Sequence, residues 1–164
     1  MQTLARAAFY PIARLLLPVC LLTACSGIKP YPNTLEENLH LHTMTESGSL
    51  FSSVRAAVDI YRVNARCQTE YQGTVALDSS SKAIGIPVDQ PSYLVFDFAS
   101  SSWLASSSSS ISYDTLLTPR SGHDYDIEVS YLDDIYNVAI LERQHRNGNS
   151  HDVGQRSLGE CTPR

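Results

Sequence analysis

From Asp124 to Tyr131 the chain alternates without interruption: Tyr125, Ile127, Val129 and Tyr131 take one parity, and Asp124, Asp126, Glu128 and Ser130 the other. Successive side chains of an extended chain point to opposite faces, so this pattern predicts a strand with one face in a core and one in water. The same period recurs along the chain. Tyr71, Gly73, Val75 and Leu77 share a face, as do Ile111, Tyr113, Thr115 and Leu117, and Val54 to Val63 reads as a strand with Val58 and Ile60 facing inward. Thr34 to Glu37 has the form of a helix capping box, yet Leu39-His40-Leu41-His42 alternates with period two, so a strand from Leu39 to about Thr45 is expected, with room for a helical turn before it.

Turn residues punctuate these runs. Asp78-Ser79-Ser80-Ser81 predicts a hairpin joining the Tyr71–Leu77 strand to a strand over Lys82–Ile86. Pro87, Asp89 and Pro91 precede Tyr93-Leu94-Val95-Phe96-Asp97-Phe98, whose nearly unbroken apolar run predicts a central strand covered on both faces. Pro119-Arg120-Ser121-Gly122 makes a turn, and Leu132-Asp133-Asp134 reverses the chain into Ile135–Leu141 as a hairpin. About seven short strands, a turn roughly every ten residues and no long amphipathic helix point to an all-β antiparallel sandwich, with a small closed barrel as the alternative.

The N-terminus carries a different message. Arg6 and Arg14 precede an apolar stretch from Leu15 to Leu22, about eight residues long and far short of the ~20 that span a bilayer. That stretch ends in Leu22-Thr23-Ala24-Cys25, which resembles the lipobox of bacterial lipoproteins. The resemblance implies cleavage after Ala24 and lipid on the Cys25 sulfur, palmitate-type acyl chains holding the protein to a membrane. The other reading of the same residues is an ordinary cleaved signal that leaves Cys25 a free thiol. Ser26 after the cysteine implies, by the same resemblance, the cell outer membrane, with the body facing the periplasm. The expected organisation is a signal peptide over 1–24, a lipidated tether over 25–37 marked by Gly27, Pro30 and Pro32, a sandwich over 38–142 and a polar tail over 143–164. In architecture such a sandwich is similar to the transthyretin-like or immunoglobulin-like domains of periplasmic lipoproteins, including those that serve secretion assemblies.

Cleavage would remove two of the 12 Lys and Arg and none of the 17 Asp and Glu, leaving 10 against 17, a formal charge of -7 on 140 residues. The basic residues stand singly among carboxylates, so nucleic acid is not an expected partner. Cys20 lies in the removed segment and Cys25 is taken by lipid, which leaves Cys67 and Cys161, the number that one disulfide requires in an oxidising compartment. Such a bridge would tie the tail to the body.

Candidate sites are few. His40 and His42 would share a strand face and could begin a metal site, but two ligands do not complete one, and no metal or other cofactor is expected. His145 and His151 are expected to face water. Asp124, Asp126 and Glu128, with Asp133 and Asp134 beyond them, lack the spacing and glycine of an EF-hand loop and read as a solvated sheet face. Trp103 and Leu104 sit in the serine-rich stretch from Ser100 to Ser112, where Trp103 either folds back onto the core or, with Leu104, anchors a protein partner. None of the serines has the Gly-x-Ser-x-Gly setting of a nucleophile. The expected function is a non-enzymatic structural or interaction component of the envelope, touching the membrane through its lipid and a protein partner through its body. A ligand- or metal-binding module would need a concave pocket or convergent side chains; a hydrolase would need an activated serine or paired carboxylates.

Overall fold

The structure, a computed structural model, describes residues 27–45, 52–102, 107–132, 135–146 and 148–163. Cys25, Trp103, Leu104 and the Asp133-Asp134 turn lie outside these residues. Among the described residues nine strands follow one another: β1 (Leu39–Thr45), β2 (Ser52–Val63), β3 (Thr69–Ala76), β4 (Ser81–Ile84), β5 (Ser92–Ser102), β6 (Ser107–Leu117), β7 (His123–Leu132), β8 (Ile135–Gln144) and β9 (Ser150–Asp152). They form two sheets, ordered β4-β1-β7-β8-β9 and β3-β2-β5-β6, packed face to face as an all-β sandwich. All strand pairings are antiparallel except β1 with β7, which run parallel with Leu39 beside Tyr125 and Leu41 beside Ile127. The core is built by the alternation read from the sequence: Leu39 and Leu41, Val58 and Ile60, Leu94, Phe96 and Phe98, and Tyr125, Ile127 and Val129 are all buried.

Two strand expectations are corrected. β3 and β4 do not form a hairpin; they lie in opposite sheets. Leu77 continues along the β3-β2-β5-β6 sheet, its N–H bonded to the Ala56 carbonyl at 2.9 Å, before the chain crosses at 78–80 and β4 pairs with β1. Val75 and Leu77, like Ile84 and Ile86, must be buried. In opposite sheets the two pairs point into one core from its two sides. β5 does occupy an interior position between β2 and β6, but only one face is covered. Leu94, Phe96 and Phe98 enter the core, while Tyr93, Val95 and Asp97 are half-buried on the outer face. There Tyr93 packs 5.9 Å from Tyr61, which in turn lies 5.4 Å from Tyr71, so cross-strand aromatic contacts supply the partial cover.

The terminal segments are part of the body. Residues 29–38, all but the last of them in the stretch read as a tether, form a strap across the β3 and β4 edges. Thr74 exchanges backbone hydrogen bonds with Lys29 and Tyr31 at 2.8 and 3.0 Å. The Tyr31 hydroxyl donates to the Gly85 carbonyl at 2.7 Å, and the Asn33 side chain accepts from the Gly85 N–H at 2.8 Å. At the other side, β9 adds to β8, Val153 N–H reaches the Ile140 carbonyl at 2.8 Å, and Leu116 N–H on β6 reaches the Arg156 carbonyl at 2.7 Å. The C-terminal segment thus crosses from one sheet to the other. It ends in the Cys67–Cys161 disulfide, with a sequence separation of 94 and a Cα–Cα distance of 5.9 Å. On the chain-entropy account, closing a loop of that size stabilises a fold by up to about 4 to 5 kcal/mol. The sandwich therefore begins before residue 38 and ends beyond 142.

Close approach of the N-terminal strap requires glycine at two positions. A Cβ at Gly73 would lie 2.6 Å from the Tyr31 Cα, and one at Gly85 would lie 2.5 Å from the carbonyl oxygens of Leu35 and Glu36. Gly85→Ala is expected to displace the strap, lowering unfolding free energy by about 2 kcal/mol or more and opening residues 29–38 to limited proteolysis. A Gly85→Ala protein with unchanged denaturation and cleavage pattern would contradict this packing.

Candidate functional site

An open cleft of about 730 Å³ lies at the end of the sandwich where β7 begins and β8 stops. Four chain segments make its walls: the strap at 35–38, the β4–β5 connection at 86–88 and 90, the β6–β7 turn with the first residues of β7, and His145 just past β8. Asn38 locks these together. It is buried, and its side-chain amide donates to the Ile86 carbonyl at 2.8 Å while its side-chain oxygen accepts from the Ile86 N–H at 2.9 Å. Its own carbonyl accepts from the Tyr125 N–H at 2.9 Å. The β4–β5 connection is pinned at a second point, where Asp89, in the left-handed region with φ of 56°, donates its N–H to the Pro119 carbonyl at 2.7 Å. Short polar side chains tolerate that conformation, and the bond keeps the wall in one shape.

Behind the cleft stands a buried carboxylate. The inward parity of β8 runs Val138, Ile140, Glu142, so period two places a charge where the apolar series would put a core residue. The Glu142 side chain is 4% exposed. Oε1 accepts from the Tyr125 hydroxyl at 2.8 Å, and Oε2 lies 2.9 Å from His151 Nε2. His123 Nε2 and the Arg120 guanidinium stand further off, at 3.9 and 3.8 Å. The Tyr125 hydroxyl also accepts from the Arg120 N–H at 3.0 Å, a tie to the preceding turn like the tyrosine corner of other sandwiches. Burial, then the hydrogen bond to Glu142, pushes the Tyr125 phenol up to about 12. With both oxygens engaged, Glu142 binds β7, β8, β9 and the turn into one node; it does not present a free base.

His151 was expected to face water. Its ring is 62% exposed, but its Nε2 is the closest histidine contact of Glu142, because β9 pairs with β8 and sets His151 opposite Glu142. His145 is likewise engaged, 2.9 Å from Asp124. On the outer face the carboxylates of β7 have basic side chains beside them: Arg143 lies 3.8 Å from Asp124 and 3.5 Å from Asp126, and the His42 ring lies 3.7 Å from Asp126. His40 and His42 share the face with Asp126 and Glu128 by register. Among the described residues, no group of three or more His, Cys, Asp or Glu side chains is arranged to hold a metal ion.

The cleft itself was not anticipated. Leu35 and Val88 lie in non-periodic segments, and only the crossing of strap and connection brings them together. Glu142 could have been found, since its inward parity was already fixed by Val138 and Ile140.

No family model, no curated protein and no solved structure matches this chain.

Between pH 10 and about 12 the unfolded chain releases the Tyr125 proton while the folded chain keeps it, so stability should fall as pH rises through that window. Tyr31, Tyr61, Tyr93 and Tyr113, also raised by burial, add to the slope. Tyr125→Phe should therefore lower stability at pH 7 through loss of the Glu142 hydrogen bond, by about 1 to 3 kcal/mol, and flatten the alkaline decline. Equal slopes for both proteins in denaturant titrations across pH 9–12 would contradict the node.

Proposed function

We propose that the protein is an outer-membrane lipoprotein, anchored through Cys25 with its sandwich in the periplasm, and that it serves as a non-enzymatic interaction component of the envelope whose contact surface is the end cleft. The observation that carries this reading is the cleft's construction. Leu35 and Val88 leave 47% and 45% of their surface to solvent on walls that hydrogen bonds hold in place, an arrangement suited to desolvation by a partner. The Cys67–Cys161 bridge supports an oxidising compartment. The strap bears on geometry: Lys29 is already fastened to β3, so Cys25 precedes it by four residues, a reach of at most about 14 Å. A lipid on Cys25 would keep the body close to the bilayer, and a partner would have to meet it there.

A ligand-binding module is the second reading. It is favoured by the cleft volume of about 730 Å³, a size common among small-molecule pockets.

Photo-crosslinking from position 88 of the full-length protein in intact cells tests the proposal. A discrete adduct with an envelope protein is expected from position 88 and not from Glu128 on the outer face, and Cys25→Ser should release the protein from the membrane fraction. Indistinguishable products from both positions, or a Cys25→Ser protein that still sediments with outer membranes, would contradict it.

A further inference from the structure

The two sides of the cleft differ in how their charges are compensated. On the β7 side Asp124 is already met by His145 at 2.9 Å and by Arg143 at 3.8 Å, and His123 Nδ1 lies 3.1 Å from the Ser121 carbonyl. On the other side, the strap sets Glu36 and Glu37 beside the aliphatic surface of Leu35, Ile86 and Val88. Among the described residues, neither of these two carboxylates has an ion pair or a side-chain hydrogen bond. An apolar surface beside uncompensated negative charge attracts a group that joins an aliphatic body to a cation and repels one that joins it to an anion. Gln90 also lines the cleft, and its side-chain amide offers one donor and one acceptor face, the complement of a peptide group.

We infer that the cleft binds an extended basic segment of a partner protein, with an aliphatic side chain against Leu35 and Val88 and a lysine or arginine beside Glu36 and Glu37. This rests on the cleft being the contact surface. The walls need no rearrangement to receive the segment, since Asn38 and the Asp89–Pro119 bond already fix them. The cation does two things there. Its charge satisfies carboxylates that no protein group meets, and its alkyl stem extends the aliphatic contact.

Fluorescence anisotropy on the full-length protein, held in zwitterionic phosphatidylcholine nanodiscs, separates the outcomes. The probes are two fluorescein-labelled pentapeptides, one alternating leucine with lysine and one alternating leucine with glutamate, with empty nanodiscs as the blank. Saturable binding of the lysine peptide at one per chain is expected, about tenfold tighter than the glutamate peptide. Binding should weaken as salt rises from about 50 to about 300 mM. The paired change Glu36→Gln and Glu37→Gln should reduce the affinity about threefold or more and leave the thermal midpoint unchanged. Equal affinity for the two peptides, or lysine-peptide binding that survives the paired change, overturns the inference. If both peptides bind equally and Val88→Ser abolishes both, the preference for a basic segment fails while the cleft stands as a contact surface. If neither peptide binds, the basic segment is likewise excluded, and crosslinking from position 88 decides separately whether the cleft contacts a partner.

Discussion

A two-sheet sandwich buries its facing surfaces but leaves its sides open, and closure of those sides by the two ends of the chain is the constraint on which this structure depends. The N-terminal strap joins the β3 edge to β4 through Thr74, Gly85 and Ala83, and the C-terminal segment joins β8 to β6 through Ile140 and Leu116. Each also blocks part of an exposed edge, whose free N–H and C=O groups would otherwise invite another strand. The Cys67–Cys161 bridge fixes the second closure covalently to the β2–β3 connection.

The cleft is a consequence of the first closure. Because the strap runs past Gly85 at a distance that admits no Cβ, it enters β1 through Asn38, whose four hydrogen bonds reach Ile84, Ile86 and Tyr125. Leu35 is thereby held on one wall and Val88 on another. The Glu142 node supports the remaining wall from behind, tying the β6–β7 turn to β8 and β9 through Tyr125 and His151. Rigid support beneath partly exposed aliphatic groups suits binding, since little ordering remains to be done when a partner arrives.

How much of this was legible follows from where periodicity operates. β1 and β7 could be read directly, because each alternates and each has one solvated face; Leu39, Leu41, Tyr125, Ile127 and Val129 are buried as their parity requires. The β3–β4 connection could not. Alternation fixes which face a residue takes, and leaves open whether the next strand pairs beside its predecessor or crosses to the facing sheet. The nearly continuous apolar run of β5 misled for a related reason: Tyr93 packs against Tyr61 and Val95 stays half-buried on an outer face that no other layer covers among the described residues. The prolines of the strap suggested a free tether, yet Pro30 and Pro32 flank Tyr31, which makes the backbone and hydroxyl bonds that hold the segment down. Cleft residues in loops carry no period at all.

Amide hydrogen exchange on the full-length protein tests the central claim most directly. If the terminal segments are structural closures, the N–H groups of Tyr31, Asn38, Thr74 and Leu116 should exchange with protection close to that of the β7 core amides, since each is bonded across a sheet edge. Exchange of Tyr31 and Asn38 at the rate of an unstructured peptide, with β7 still protected, would show that the strap is a tether after all and that the cleft has no fixed wall.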